Sequence, residues 1–136
     1  MLALAGNETT PNGENNPVGG QPQSGIWFGK TDDLWGFGKP QGWGGPWRNT
    51  PVKKGQPSDP YLMTGFDKKV LHVKTGKAAG VNIEIDFLGN GTWVFYEGLN
   101  AASGYAYHVF PAGFSAHWVR LTSDADCTAS AEFIYT

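Results

Sequence analysis

The clearest pattern along this chain is alternation. In VNIEIDF, Val81, Ile83, Ile85 and Phe87 fall on one side and Asn82, Glu84 and Asp86 on the other, as in a strand with one wet face. LGNGTWVFYE follows, and its Asn90-Gly91 pair is the favoured two-residue hairpin turn, which predicts a partner strand with Phe87 opposite Val94 and Ile85 opposite Tyr96. KVLHVK (69–74), GYAYHVF (104–110), AHWVRLT (116–122) and TASAEFIYT (128–136) read as further strands. Roughly six or seven strands at short spacing predict an all-β chain folded as one antiparallel jelly roll or β-sandwich. No internal repeat is visible.

Two regions depart from this pattern. Between Ile26 and Pro60, Gly and Pro interrupt every run, so the tryptophans there (Trp27, Trp35, Trp43, Trp47) are expected on short strands and loops. From Gly6 to Gly25 almost no apolar side chain occurs, and such a segment cannot offset the entropy of ordering. The expected organisation is a disordered leader or linker over 1–25 and a jelly-roll domain over 26–136.

Composition narrows the function classes. A chain of 136 residues suits one domain with a real core. Only 16% of residues are charged and the net charge is −2, so no basic surface exists to neutralise phosphates and nucleic acid is excluded as a partner. Twenty glycines, nine prolines and 14% aromatics favour short strands over helices. Cys127 is the single cysteine, so no intrachain disulfide forms. No apolar run approaches a membrane span. Leu2-Ala3-Leu4-Ala5-Gly6 looks like the tail of a signal peptide with its small-residue cleavage site, and the protein is expected to be secreted.

The candidate chemistry centres on YHVFPAGFSAHW. With Ala112-Gly113 as central turn residues, a hairpin pairs Val109 with Ala116 and His108 with His117, and places the two histidine Cβ atoms roughly 4.5 to 5.5 Å apart on one face. That face carries Ala106, Phe110, Val119 and Leu121 and looks inward, while Tyr105, Tyr107, Trp118 and Arg120 look outward. His72 in KVLHVK is the third histidine, and Leu71 and Val73 compete with Val70 for the inside. Three neutral imidazoles would suit copper, with zinc as the alternative, and Gln41 is placed to complete the shell. The competing reading is that each histidine is satisfied by a neighbour such as Tyr107 or Ser115. Trp35, Trp43 and Trp47 either present flat rings to the apolar faces of sugars or cap the core. Asp32, Asp33, Asp59, Asp67, Asp124 and Asp126 read as turn and cap residues.

The runs DLWGFGKPQGWGGPW, SDPYLMTGFDKKVL and FPAGFSAHWVRLTSDADCTASAEFIY resemble a poorly characterised class of small β domains in secreted proteins of environmental bacteria, over about Trp27 to Tyr135. That class brings no catalytic signature with it. The compact β domain with inward histidines also looks like the small cupin-like jelly-roll copper enzymes that cleave cellulose oxidatively, although His-x-His and the accompanying Glu of cupins are missing. This likeness implies copper on His72, His108 and His117, catalytic support from Tyr105 and Tyr107, and a polysaccharide, cellulose first, lying on Trp35, Trp43 and Trp47. The alternative is a carbohydrate-binding module without chemistry of its own, and a structural accessory domain is a third reading. An exposed aromatic face also makes a homodimer an expectation.

Overall fold

The computed structural model describes residues 2–5, 26–37 and 39–136. Contacts divide the chain into two compact units, residues 1–39 and 40–136. In the first, strand β1 (Leu2–Ala5) pairs antiparallel with β2 (Ile26–Gly29), and a 3-10 helix follows over Thr31–Phe37. The Asp33 carboxylate accepts the Lys30 backbone N–H at 2.9 Å and closes the turn that starts this helix. Residues 6–25, the bulk of the expected leader, lie outside the described residues.

The second unit contains β3 (Gly42–Val52), β4 (Tyr61–Leu62), β5 (Lys69–Thr75), β6 (Ala79–Asp86), β7 (Val94–Ala101), β8 (Tyr105–Val109), β9 (Trp118–Ser123) and β10 (Cys127–Tyr135). They form two four-stranded antiparallel sheets, ordered β3-β10-β5-β8 and β4-β9-β6-β7. The pairs β6·β7, β5·β8, β4·β9 and β3·β10 nest inside one another like the tiers of one long hairpin. Rolling that hairpin docks β10 on β5 and β9 on β6, which is the jelly-roll form of a β-sandwich. The fold expected from alternation is the fold observed.

Alternation also builds the core. Leu71 and Val73 from β5, Val81 and Ile83 from β6, Val119 and Leu121 from β9, and Phe133 from β10 are all fully buried between the sheets. Each such side chain contributes about 1.5–3 kcal/mol through removal from water. Lys69 is the exception among these inward positions. Its ammonium is buried and donates to the carbonyls of Phe66 and Phe114, each at 2.7 Å, and so ties together the loops on either side of the β5 start. Burial lowers its pKa, with Asp67 pulling the other way.

Three expectations need correction. First, the Gly- and Pro-rich segment is not a set of short pieces, because β3 runs for 11 residues. It lies at the edge of its sheet, where only one side of the strand is paired and the missing N–H groups of Pro46 and Pro51 are tolerated, and two register shifts against β10 absorb the irregularity. Asn49, at φ 50°, marks one of these shifts and sends its N–H to the Ser130 hydroxyl at 2.8 Å.

Second, β6 and β7 do pair, but in another register. Ile85 faces Val94 and Glu84 faces Phe95, with a bulge between Ile83 and Glu84, and Phe87 lies beyond the end of the strand and is exposed. A type I′ turn needs positive φ at both central residues, and here the left-handed positions are Gly89 and Gly91 instead of Asn90. The buried Asp86 carboxylate organises this wider loop by accepting the N–H groups of Gly89 and Gly91, each at 2.7 Å. Desolvation pushes the Asp86 pKa up, but the backbone donors Gly91, Gly89, Asn90 and Leu88 outweigh it and hold the group below the usual carboxylate range.

Third, β8 and β9 are not a hairpin. They belong to different sheets. The Pro111–Phe114 turn does form, with Phe114 N–H donating to Pro111 O at 3.0 Å, but only Gly113 has positive φ. That is type II geometry, which splays the flanking strands where the primed turns would hold them in register. The chain therefore crosses from one sheet to the other.

Candidate functional site

The outer face of the β3-β10-β5-β8 sheet gathers several of the residues singled out in the sequence. Trp43, Ile134, Val70 and Val109 stand in one cross-strand row through direct register pairs. Glu132, His72 and Tyr107 form the next row, and Ser130, Lys74 and Tyr105 the one after. The large side chains remain open to solvent: Trp43 60%, Tyr107 60%, Val109 58%, Tyr105 50% and Ile134 43% exposed.

Local sequence explains each placement. In β5, inward burial of Leu71 and Val73 beats that of Val70, which turns His72 outward and resolves its ambiguous facing. In β8, His108 pairs with the inward Leu71, so its neighbours Tyr107 and Val109 face out, and the expected outward direction of Tyr105 and Tyr107 holds. Trp43 and Trp47 are four residues apart and would share a face in an unbroken strand. The register shift between them reverses this: Trp43 is outside opposite Ile134, whereas Trp47 pairs with Ala131 and is 5% exposed. Gly45 permits the bulge, since a Cβ there would collide with the Ala131 carbonyl. The expectation that Trp47 presents its ring to a ligand is therefore corrected, and it is a core residue. Trp35 lies in the 3-10 helix of the first unit, and its side chain lies outside what is described.

Several polar groups of this face are engaged with one another. His72 Nδ1 and the Tyr105 hydroxyl are 2.8 Å apart, and the His72 ring lies near-parallel to Tyr105 and Tyr107 at centroid distances of 6.2 and 6.4 Å. Tyr105 and Tyr107 are themselves 6.4 Å apart. Ser130 donates to Asn49 Oδ1 at 3.3 Å, and Arg48 reaches Glu132 at 3.8 Å.

The histidines are not brought together as a copper or zinc set. His72 is on the outer face of the sheet and His108 on its inner face, so the two rings are separated by the backbone. His108 and His117 lose the direct cross-strand neighbourhood that the hairpin would have provided. His108 Nε2 is instead 3.4 Å from the Tyr96 hydroxyl, and its ring packs edge-on against Tyr96 and Phe110. Burial lowers the His108 pKa, opposed by Glu97. His117 is exposed at the approach to β9, with its ring against Gly89 and its backbone bonded to Asp86 and Met63. Gln41 is exposed just ahead of β3. Among the described residues no three His, Cys, Asp or Glu side chains cluster as a metal site requires. The geometry does not fit the three-imidazole centre.

Two contributors to the face escaped the sequence reading. Ile134 was legible in TASAEFIYT, where Ala129, Ala131, Phe133 and Tyr135 claim the inside and leave it the lone apolar side chain on the wet positions. Val109 follows Tyr105 and Tyr107 at period two, which is the same signal. Several aspartates serve as caps. Asp126 accepts the Lys54 N–H and Asp124 the Gly80 N–H, each at 2.8 Å. Comparison with protein-family models, curated proteins and solved structures found no match to this chain.

Proposed function

We propose that the chain is a non-catalytic carbohydrate-binding module of the β-sandwich class, which holds a polysaccharide against the outer face of the β3-β10-β5-β8 sheet. The observation that carries this reading is the shared exposure of Trp43, Tyr105 and Tyr107 beside an apolar row on one face. Sugar rings present apolar C–H faces, and flat aromatic side chains stack on such surfaces while shedding water from both. A monomer has little reason to leave a contiguous patch of this kind uncovered unless it meets a partner. A polysaccharide partner would suit an exported protein.

Retention by a panel of immobilised and insoluble polysaccharides tests the proposal. Wild-type protein is expected to be retained by at least one glycan, with Trp43→Ala/Tyr107→Ala weakening retention roughly tenfold or more. Equal retention of the variant, or no retention of the wild type, would sink it. Self-association detected by sedimentation and abolished by the same substitutions would assign the face to a second copy of the chain instead.

A further inference from the structure

We infer that the outer face recognises the ordered surface of an insoluble, uncharged glycan in preference to a single soluble chain; this rests on the carbohydrate-binding reading above. Three features of the face point this way.

The first is shape. Trp43 and the two tyrosines stand on opposite edge strands, three inter-strand spacings apart, which is about 14 Å. That span exceeds the width of one pyranose chain. The five large side chains are exposed to similar degrees, so none is the floor of a cleft flanked by higher walls. A solitary chain on this face would touch one edge or the other, whereas a sheet of parallel chains would meet both.

The second is the state of the polar groups. Recognition of one oligosaccharide relies on side chains that grip its hydroxyls, with donors and acceptors left open for the purpose. Here Tyr105 is bonded to His72, Asn49 to Ser130, and Arg48 is paired with Glu132. A sugar hydroxyl would have to displace these bonds, and the Tyr107 hydroxyl and the Lys74 ammonium are the polar groups this face leaves open. What the face offers most of is apolar area, which favours a ligand that presents many ring faces at once.

The third is charge. Glu132 offsets one of the two cations Arg48 and Lys74, so the charge on this face is small and gives an acidic or a basic polymer little to hold on to. Many weak stacking contacts to a repeating surface add through multivalency, and the same contacts to a short soluble chain do not.

The test compares one protein on two forms of the same sugar. Depletion isotherms are measured on microcrystalline cellulose and crystalline chitin, and calorimetric titrations on their soluble hexasaccharides. The expected result is retention on a crystalline surface that persists in about 1 M NaCl, where ionic contacts are screened, with no measurable heat from the hexasaccharides. Trp43→Ala/Tyr107→Ala and, separately, Val109→Asp should each reduce retention roughly tenfold. These side chains are more than half exposed, and unchanged melting curves would verify that the variants fold. Hexasaccharide binding as tight as binding to the crystal would overturn the ordered-surface inference and leave a glycan-binding module. Retention by neither form would overturn both. Retention indifferent to all three substitutions would show that a different surface is used.

Discussion

The two outer faces of the sandwich obey the same alternation and present different chemistry. On the β3-β10-β5-β8 sheet the outward positions include Trp43, Ile134, Val70 and Val109 in one row, with tyrosines beside it. On the β4-β9-β6-β7 sheet they include Asn82 paired with Thr122, and Glu84 paired with Arg120, whose guanidinium lies 4.4 Å from the centre of the Trp93 ring. One face keeps its rings free, with His72 bonded to Tyr105 and Asn49 to Ser130 beside them. On the other, an arginine covers the Trp93 ring, and the exposed apolar side chains, Phe95, Leu62 and Trp118, stand among Glu84, Arg120, Asn82 and Thr122 instead of in one unbroken apolar row. Inward positions set the fold on both sheets, so the contrast outside is invisible to any argument from fold class.

That contrast can be broken in graded ways. The largest effect should come from beneath the aromatic sheet. Lys69→Met keeps the bulk but strands the Phe66 and Phe114 carbonyls, at about 1–3 kcal/mol for each one left unsatisfied. Urea unfolding should show the loss while glycan retention per folded molecule is unchanged, which separates the face from the core under it. Next, Gly45→Ala forces the β3 bulge away from the Ala131 carbonyl and should cost about 1–3 kcal/mol. Because that bulge keeps Trp43 outside, retention should fall together with stability, unlike in the Lys69 variant.

A smaller effect is expected on the opposite face. Arg120→Ala removes the partly buried pair with Glu84 and the contact over Trp93, at about 1 kcal/mol in denaturant unfolding, and should leave glycan retention unaltered. Smallest is a pH effect at His108. Burial lowers its pKa in the folded chain, so as pH falls below about 6.5 the unfolded chain takes up the proton first. The stability tied to the neutral ring is complete above that pH and declines below it. Melting temperatures measured from pH 7.5 to 5 should decline less in His108→Phe than in the wild type.

Much of the sandwich was legible because β5, β6, β8, β9 and β10 each commit their alternate residues to one side. Pairing was less so. Both turns that suggested hairpins, Asn90-Gly91 and Ala112-Gly113, contain one residue with positive φ where a type I′ turn needs two, and single-sequence chemistry does not reveal which backbone the tertiary structure selects. The Asp86 carboxylate shows how such a choice is made, since it draws backbone donors from residues three to five positions ahead. β3 was obscured for a different reason: its partner β10 supplies the order that its own Gly and Pro residues deny it. For the candidate site, Trp43, Tyr105 and Tyr107 were found one by one, but their meeting on one plane depends on the β3 bulge and on β5 and β10 lying between the edge strands.

The position of β10 between β3 and β5 has a consequence for the birth of the molecule on the ribosome. When β3, β5 and β8 have all emerged, β6 can pair with β7 and β5 with β8, but the strand that joins β3 to its sheet is still missing. Until Cys127–Tyr135 arrives, β3 and β5 expose open hydrogen-bonding edges alongside the residues destined for the aromatic face, the kind of surface on which nascent chains aggregate. Chaperone demand should therefore fall abruptly once β10 slots in between β3 and β5.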